Sequence, residues 1–110
     1  MRKYEHEILT IIVPSSSADG TGITRRQFDG RIAEVNAFLS AMGGFTDISG
    51  RGGWIDDDDK LISENVAVSF AVAFSPLDYE LVDAQIAIWR DEWAQDCILR
   101  FVSPCNARLV

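Results

Sequence analysis

Glu64 is the first residue in this chain whose type and surroundings could do chemistry. It follows Trp54 by ten residues, and the glycine-rich run Gly50-Arg51-Gly52-Gly53 leads directly into that tryptophan. In a tight hairpin Trp54 and Glu64 come near each other across the two arms. Glu64 lies on the large, apolar face of an alternating strand, where a carboxylate is costly unless it is paired or hydrogen-bonded. It is therefore a candidate acid or base beside an aromatic wall. The plainer reading places Glu64 at the rim of the sheet, accepting from the glycine-rich backbone or from Arg51.

His6 is the one histidine in the chain. It shares a strand face with Tyr4 and Ile8 and is the second catalytic candidate, as a proton carrier in a cleft. No nucleophile pattern stands beside it, and no His/Cys cluster accompanies it, so neither a metal site nor a cofactor is expected. The acidic run Asp56-Asp57-Asp58-Asp59 has consecutive acids where calcium loops alternate their ligands around a glycine, and it reads as a solvated turn. The segment Asp19-Gly20-Thr21-Gly22-Ile23-Thr24-Arg25-Arg26 is a glycine loop entering a helix. Its backbone donors, with Arg25 and Arg26, could hold an anion, although the Gly-Lys-Ser/Thr ending of a phosphate loop is absent.

These residues need a scaffold. Tyr4 to Val13 is rich in β-branched residues and stopped by Pro14, which predicts a strand apolar on both faces toward its end. Thr24 and Gln27 form a capping box, with Ile23 and Phe28 as its hydrophobic staple. Phe28, Ile32, Val35, Leu39 and Met42 then make one helical stripe, ended by Gly43-Gly44. A hairpin follows: Phe45 to Ile48 and Trp54-Ile55 form an arm interrupted by Gly50 to Gly53, Asp56 to Lys60 the turn, and Leu61 to Phe74 the second arm. Ser75 caps a second helix with Pro76 at its first position. Cys97 to Val102 is a last strand before a Ser103-Pro104 turn.

The second hairpin arm alternates strongly. One face carries Ile62, Glu64, Val66, Val68, Phe70, Val72 and Phe74; the other carries Ser63, Asn65, Ala67, Ser69, Ala71 and Ala73. Exposing so many large side chains together invites aggregation, so the large face is expected to cover the core. The small face is then left open. The second helix bears two apolar stripes, Leu77/Leu81/Ala84/Ile88 and Val82/Ile86/Trp89/Trp93, and a single sheet face cannot cover both. Ala67, Ser69 and Ala71 with Trp89 and Trp93 are accordingly expected to form a subunit interface in a homodimer or higher homo-oligomer.

The strand–helix–hairpin–helix–strand order predicts one α+β domain over residues 1–110: a ferredoxin-like βαββαβ fold, its antiparallel sheet carrying two helices on one face. Gly52-Gly53-Trp54, Lys60-Leu61-Ile62-Ser63-Glu64 and the alternating valine-rich strand after them resemble a pattern in small bacterial proteins of unknown function. Those proteins are similar to ferredoxin-like domains with a helix before the hairpin. The resemblance runs from the first helix to Phe74 and departs at the turn, where Asp57-Asp58-Asp59-Lys60 replaces a Gly-Asp turn. It implies a fold and carries no activity.

Composition bounds the function. The 110 residues are 47% hydrophobic and 25% charged, an ordinary globular balance. Ten basic against 17 acidic side chains leave a net charge of −7, which argues against a nucleic-acid surface. No apolar run is long enough to span a bilayer, and the N-terminal acids do not suit a signal peptide. A cytoplasmic protein is expected. Cys97 and Cys105 read as two thiols, with a bridge across a C-terminal turn as the alternative. The leading functional expectation is a non-enzymatic, homo-oligomeric interaction module, for example an acidic inhibitor of a protein partner. The alternatives are a small dimeric α+β-barrel enzyme acting on a small organic molecule and an anion- or nucleotide-binding sensor.

Overall fold

The computed structural model describes residues 5–110; Tyr4, placed by sequence on the face of His6, lies outside them. Strand β1 (His6–Pro14) is followed by helix α1 (Arg25–Ser40), the hairpin β2 (Thr46–Ile55) and β3 (Leu61–Ala73), helix α2 (Tyr79–Glu92) and strand β4 (Arg100–Cys105). The four strands form one antiparallel sheet in the order β2-β3-β1-β4. This is an α+β protein. Among the described residues no helix is long and apolar enough to cross a membrane.

Local signals place most of these elements. Thr24 caps α1 with the reciprocal Gln27 contacts of a capping box, and Gly43 and Gly44 adopt the positive φ that lets the chain leave the helix. α2 begins later than expected: Asp78, not Ser75, is its cap, accepting from the Leu81 amide at 3.1 Å. β2 runs unbroken through Gly50 to Gly53. β4 starts at Arg100, and it includes Ser103 and Pro104 instead of turning there. Proline is tolerated because β4 is an edge strand, where an amide can face away from the ladder.

The sheet is covered on the side opposite to the expected one. The register sets Leu9 opposite Ala71, Ile11 opposite Ser69 and Val13 opposite Ala67. These residues meet Phe28, Val35 and Leu39 of α1 and Val82, Ile86, Trp89 and, just past its end, Trp93 of α2 in one core. The small Ala/Ser side of β3 thus receives the helices, and the helices supply the bulk. Trp89 stacks on Trp93 with ring centroids 5.5 Å apart, and Phe38 meets Trp89 edge-on at 5.6 Å.

The proposed interface set is corrected by the same packing. Ala67, Ser69, Ala71, Trp89 and Trp93 are each no more than 6% exposed within the single chain. They are core residues, not a surface for a second subunit. The stripe of α2 left outside is the other one, with Leu81 and Ile88 exposed.

What remains open is the large-residue face. The register puts Ile48 and Trp54 of β2, Ile62, Glu64, Val66, Val68, Phe70 and Val72 of β3, and Phe101 of β4 on that side. Ile48, Trp54 and Phe101 are exposed there, as is Phe74 just beyond β3. The hairpin also outruns its neighbour, because β1 pairs only as far as Val66 while β2 pairs down to Leu61.

Candidate functional site

The site lies where β1 ends and the hairpin continues alone. Beyond the Pro14–Val66 pair the chain turns away, and Ser15 and Ser16 come to the side of Glu64. The Ser15 amide donates to Glu64 Oε2 at 3.1 Å, the Ser15 hydroxyl reaches the same oxygen at 3.4 Å, and the Ser16 hydroxyl also donates to it. One carboxylate oxygen is therefore held by up to three donors, which fixes the group without a cation on it. Glu64 is half-buried, so it stays within reach of the open face.

Glycines face it from the neighbouring strand. Glu64 pairs with Gly52 and Val66 with Gly50, while Trp54 pairs with Ile62 and Ile48 with Val68. On the open face, β2 thus shows a side chain, two gaps and a side chain: Ile48, Gly50, Gly52, Trp54. A Cβ at Gly52 would stand 3.2 Å from Val66 Cγ1, and one at Gly50 would stand 3.4 Å from the methyls of Val66 and Val68. The result is a shallow notch between exposed Ile48 and Trp54, floored by the Val66 methyls that lie against Gly50 and Gly52, with Glu64 at its edge. Trp54 and Glu64 are diagonal neighbours across the strands, on the order of 7 Å apart at the backbone.

The turn holding Glu64 is itself held. Arg31 of α1 is 7% exposed, and its Nη1 donates to Pro14 O at 2.8 Å and Ser16 O at 3.0 Å, while Nη2 reaches Trp93 O at 3.4 Å. Its guanidinium lies over the Trp93 ring, 5.3 Å from the centroid. Burial pulls the Arg31 pKa below its ordinary value, and the Glu64 charge opposes that shift. Gln95 Nε2 donates to Ser16 O and Trp93 O. Sequence reasoning passed over Arg31, although a signal exists: it is three residues after Phe28 and four before Val35, on their buried stripe.

The other candidates separate. His6 stands against Phe74, their ring centroids 4.8 Å apart, ten residues along β3 from Glu64 and so about 33 Å away. The two catalytic candidates do not share a site. Arg51 pairs with Asn65, on the opposite face of the sheet from Glu64, and is exposed; Ser15 and Ser16 take the role expected of it. The Gly20 to Arg26 loop, expected to hold an anion, lies apart from Glu64 in the sequence and bonds largely to itself. Several of its donors are spent internally: Gly20 N on Ser17 O, Thr21 N on Asp19 Oδ1, Ile23 N on Ser15 O, and Gln27 N on Thr24 Oγ1. Arg25 pairs with Asp29 at 3.0 Å, and Arg26 is exposed on the first turn of α1. The acidic run is a turn organised by Asp56, whose Oδ1 accepts from the Asp58 and Lys60 amides at 2.9 Å. Cys97 and Cys105 are both free thiols.

No protein-family model matches the chain, and no curated protein matches it. Among solved structures it is similar to a phage SAM lyase in complex with S-methyl-5'-thioadenosine, with a TM-score of 0.65 at 15% identity, covering 94% of this chain and 84% of that one. The expectation of a non-enzymatic interaction module is corrected by this likeness, since the fold shared is that of an enzyme.

Proposed function

We propose that this chain is an enzyme acting on a small organic molecule, and specifically a lyase that cleaves S-adenosylmethionine to methylthioadenosine. The observation carrying the proposal is Glu64, a carboxylate fixed by Ser15 and Ser16 and left half-buried at the edge of a shallow apolar notch beside Trp54. Support comes from the shared fold, whose solved example holds the thioether product of such a cleavage. We read the fold itself as ferredoxin-like.

The chemistry suits the groups present. S-adenosylmethionine carries a sulfonium and an ammonium, and Glu64 supplies the negative charge that holds its cationic end. Ile48, Trp54 and the Val66 methyls beside Gly50 and Gly52 supply apolar surface for a planar base. When the bond between sulfur and the four-carbon amino-acid fragment breaks, its electron pair stays on sulfur. The leaving group is then a neutral thioether, so no proton donor is required. The carbon fragment either closes on its own carboxylate oxygen, with no net proton transfer, or loses the adjacent proton to a base. Either way, the protein's task is to hold an extended sulfonium substrate, with a net charge of one positive unit, in a reactive conformation and exclude water.

We further propose that a second copy of the chain completes the site. The open sheet face presents Ile48, Trp54, Phe74 and Phe101 to solvent, exposed large apolar side chains on one sheet face of the kind that marks association. Titration calorimetry of methylthioadenosine into the purified protein tests the ligand assignment. Saturable binding by the wild-type chain, little changed in Glu64→Gln because the thioether carries no positive charge, is the expected result; absence of binding by the wild-type chain overturns it.

A further inference from the structure

We infer that Arg31 is a positioning residue for Glu64, acting through the peptide group between Pro14 and Ser15. The inference rests on the reading of Glu64 as the group that holds the ligand. Its basis is one peptide plane with a partner on each side. Pro14 O accepts from Arg31 Nη1 at 2.8 Å, and the amide of the same peptide unit, Ser15 N, donates to Glu64 Oε2 at 3.1 Å. In a trans peptide the carbonyl and the N–H point in opposite directions. A cation on the carbonyl side and an anion on the amide side therefore fix the plane between them. Each hydrogen bond also polarises the peptide in the sense that strengthens the other.

The rest of the grip is consistent with this function. Arg31 Nη1 also holds Ser16 O at 3.0 Å, so one nitrogen brackets Ser15 from both of its neighbours. That fixes the backbone from which the Ser15 and Ser16 hydroxyls reach Glu64. A buried guanidinium is costly, and simple packing of α1 on Trp93 would be met by an apolar side chain. Arg31 instead directs its donors at three backbone carbonyls, two of them in the Glu64 turn. Lysine could replace the charge, but its single nitrogen lacks the planar fork that reaches Pro14, Ser16 and Trp93 together.

The experiment reads the Ser15 amide directly by NMR in the wild type and in Arg31→Lys, Arg31→Met, Glu64→Gln and Arg31→Lys/Glu64→Gln. Loss of the carboxylate in Glu64→Gln moves the Ser15 proton upfield. The expected result is that Arg31→Lys moves it most of the way to that position and that the double variant moves it no further. Arg31→Lys also slows the release of methylthioadenosine from S-adenosylmethionine, because the carboxylate that holds the cationic end is less firmly placed. A Ser15 amide left at its wild-type position in Arg31→Lys, whatever happens to melting temperature, overturns the inference and leaves Arg31 a packing residue. Should Arg31→Met fail to fold, Arg31→Lys decides alone. Because the amide shift needs no ligand, failure of methylthioadenosine to bind the wild type would overturn the functional reading while leaving this test intact.

Discussion

The Ser15 amide lies 3.1 Å from Glu64 Oε2, joining the end of β1 to the hairpin across 49 residues of sequence. That contact turns an isolated acidic side chain on an apolar strand into a fixed acceptor. It also locates the site at the end of the sheet where the hairpin loses its neighbour.

The notch should be sensitive to a single added side chain. Gly52→Val places branched carbons where even a Cβ stands 3.2 Å from Val66 Cγ1, directly opposite Glu64. Methylthioadenosine binding should be lost while the far-ultraviolet circular dichroism spectrum stays native. Binding unchanged in this variant would move the site elsewhere on the molecule.

Ala94 follows α2 with a φ of 51°, a left-handed conformation in a residue that carries a Cβ. Glycine is at ease there. Ala94→Gly should stabilise the fold by about 0.5–1 kcal/mol, the left-handed penalty less glycine's greater loss of chain entropy. A denaturant midpoint that rises at constant slope checks this; a fall would show that the turn does not need the conformation.

Arg100 grips Asp83 through two contacts of 2.8 Å, which holds the Asp83 carboxyl below its ordinary value of 3.8. A depressed carboxyl contributes stability above its unfolded value and loses it as pH falls through the folded one. The stability gap between wild type and Asp83→Asn should therefore be full at neutral pH and close below about pH 4. Urea midpoints measured across that range decide it, and a gap independent of pH would remove the ion pair from the explanation. The pair is exposed, so its contribution is small and screened by salt.

Association through the open face has its own test. Light scattering on the wild type should give an assembly larger than one chain, and Phe101→Glu with Ile48→Glu should return it to a monomer. Both side chains are exposed on the open face and absent from the core cluster, so the fold should survive. A wild type that is monomeric at micromolar concentration would contradict the proposed second copy.

Much of this was readable before any coordinates. The Thr24–Gln27 capping box, the long alternating β3 and the Asp56–Lys60 turn are local signals, and each sits where its residues direct. Glu64 stood out because a charge interrupts an apolar alternation. The covered side of β3 was not readable from β3 alone. Its large residues suggested a core, but β1 is apolar on both faces, and the volume that fills the core comes from Leu39, Trp89 and Trp93. Small residues beneath large helical ones pack as well as the reverse arrangement does. The partners of Glu64 were hidden for a different reason. They depend on the β1–β3 register, and one residue of slip would send Ser16 to the other face.

The most direct measurement of the functional claim follows S-adenosylmethionine by chromatography in the presence of the wild-type chain and of Glu64→Gln. The account expects methylthioadenosine to appear with the wild type, and its rate to fall roughly a hundredfold or more in the variant, as when a charged group central to the reacting complex is removed. Methylthioadenosine released equally by both would acquit Glu64, and none released by the wild type in its native assembly would contradict the lyase assignment itself.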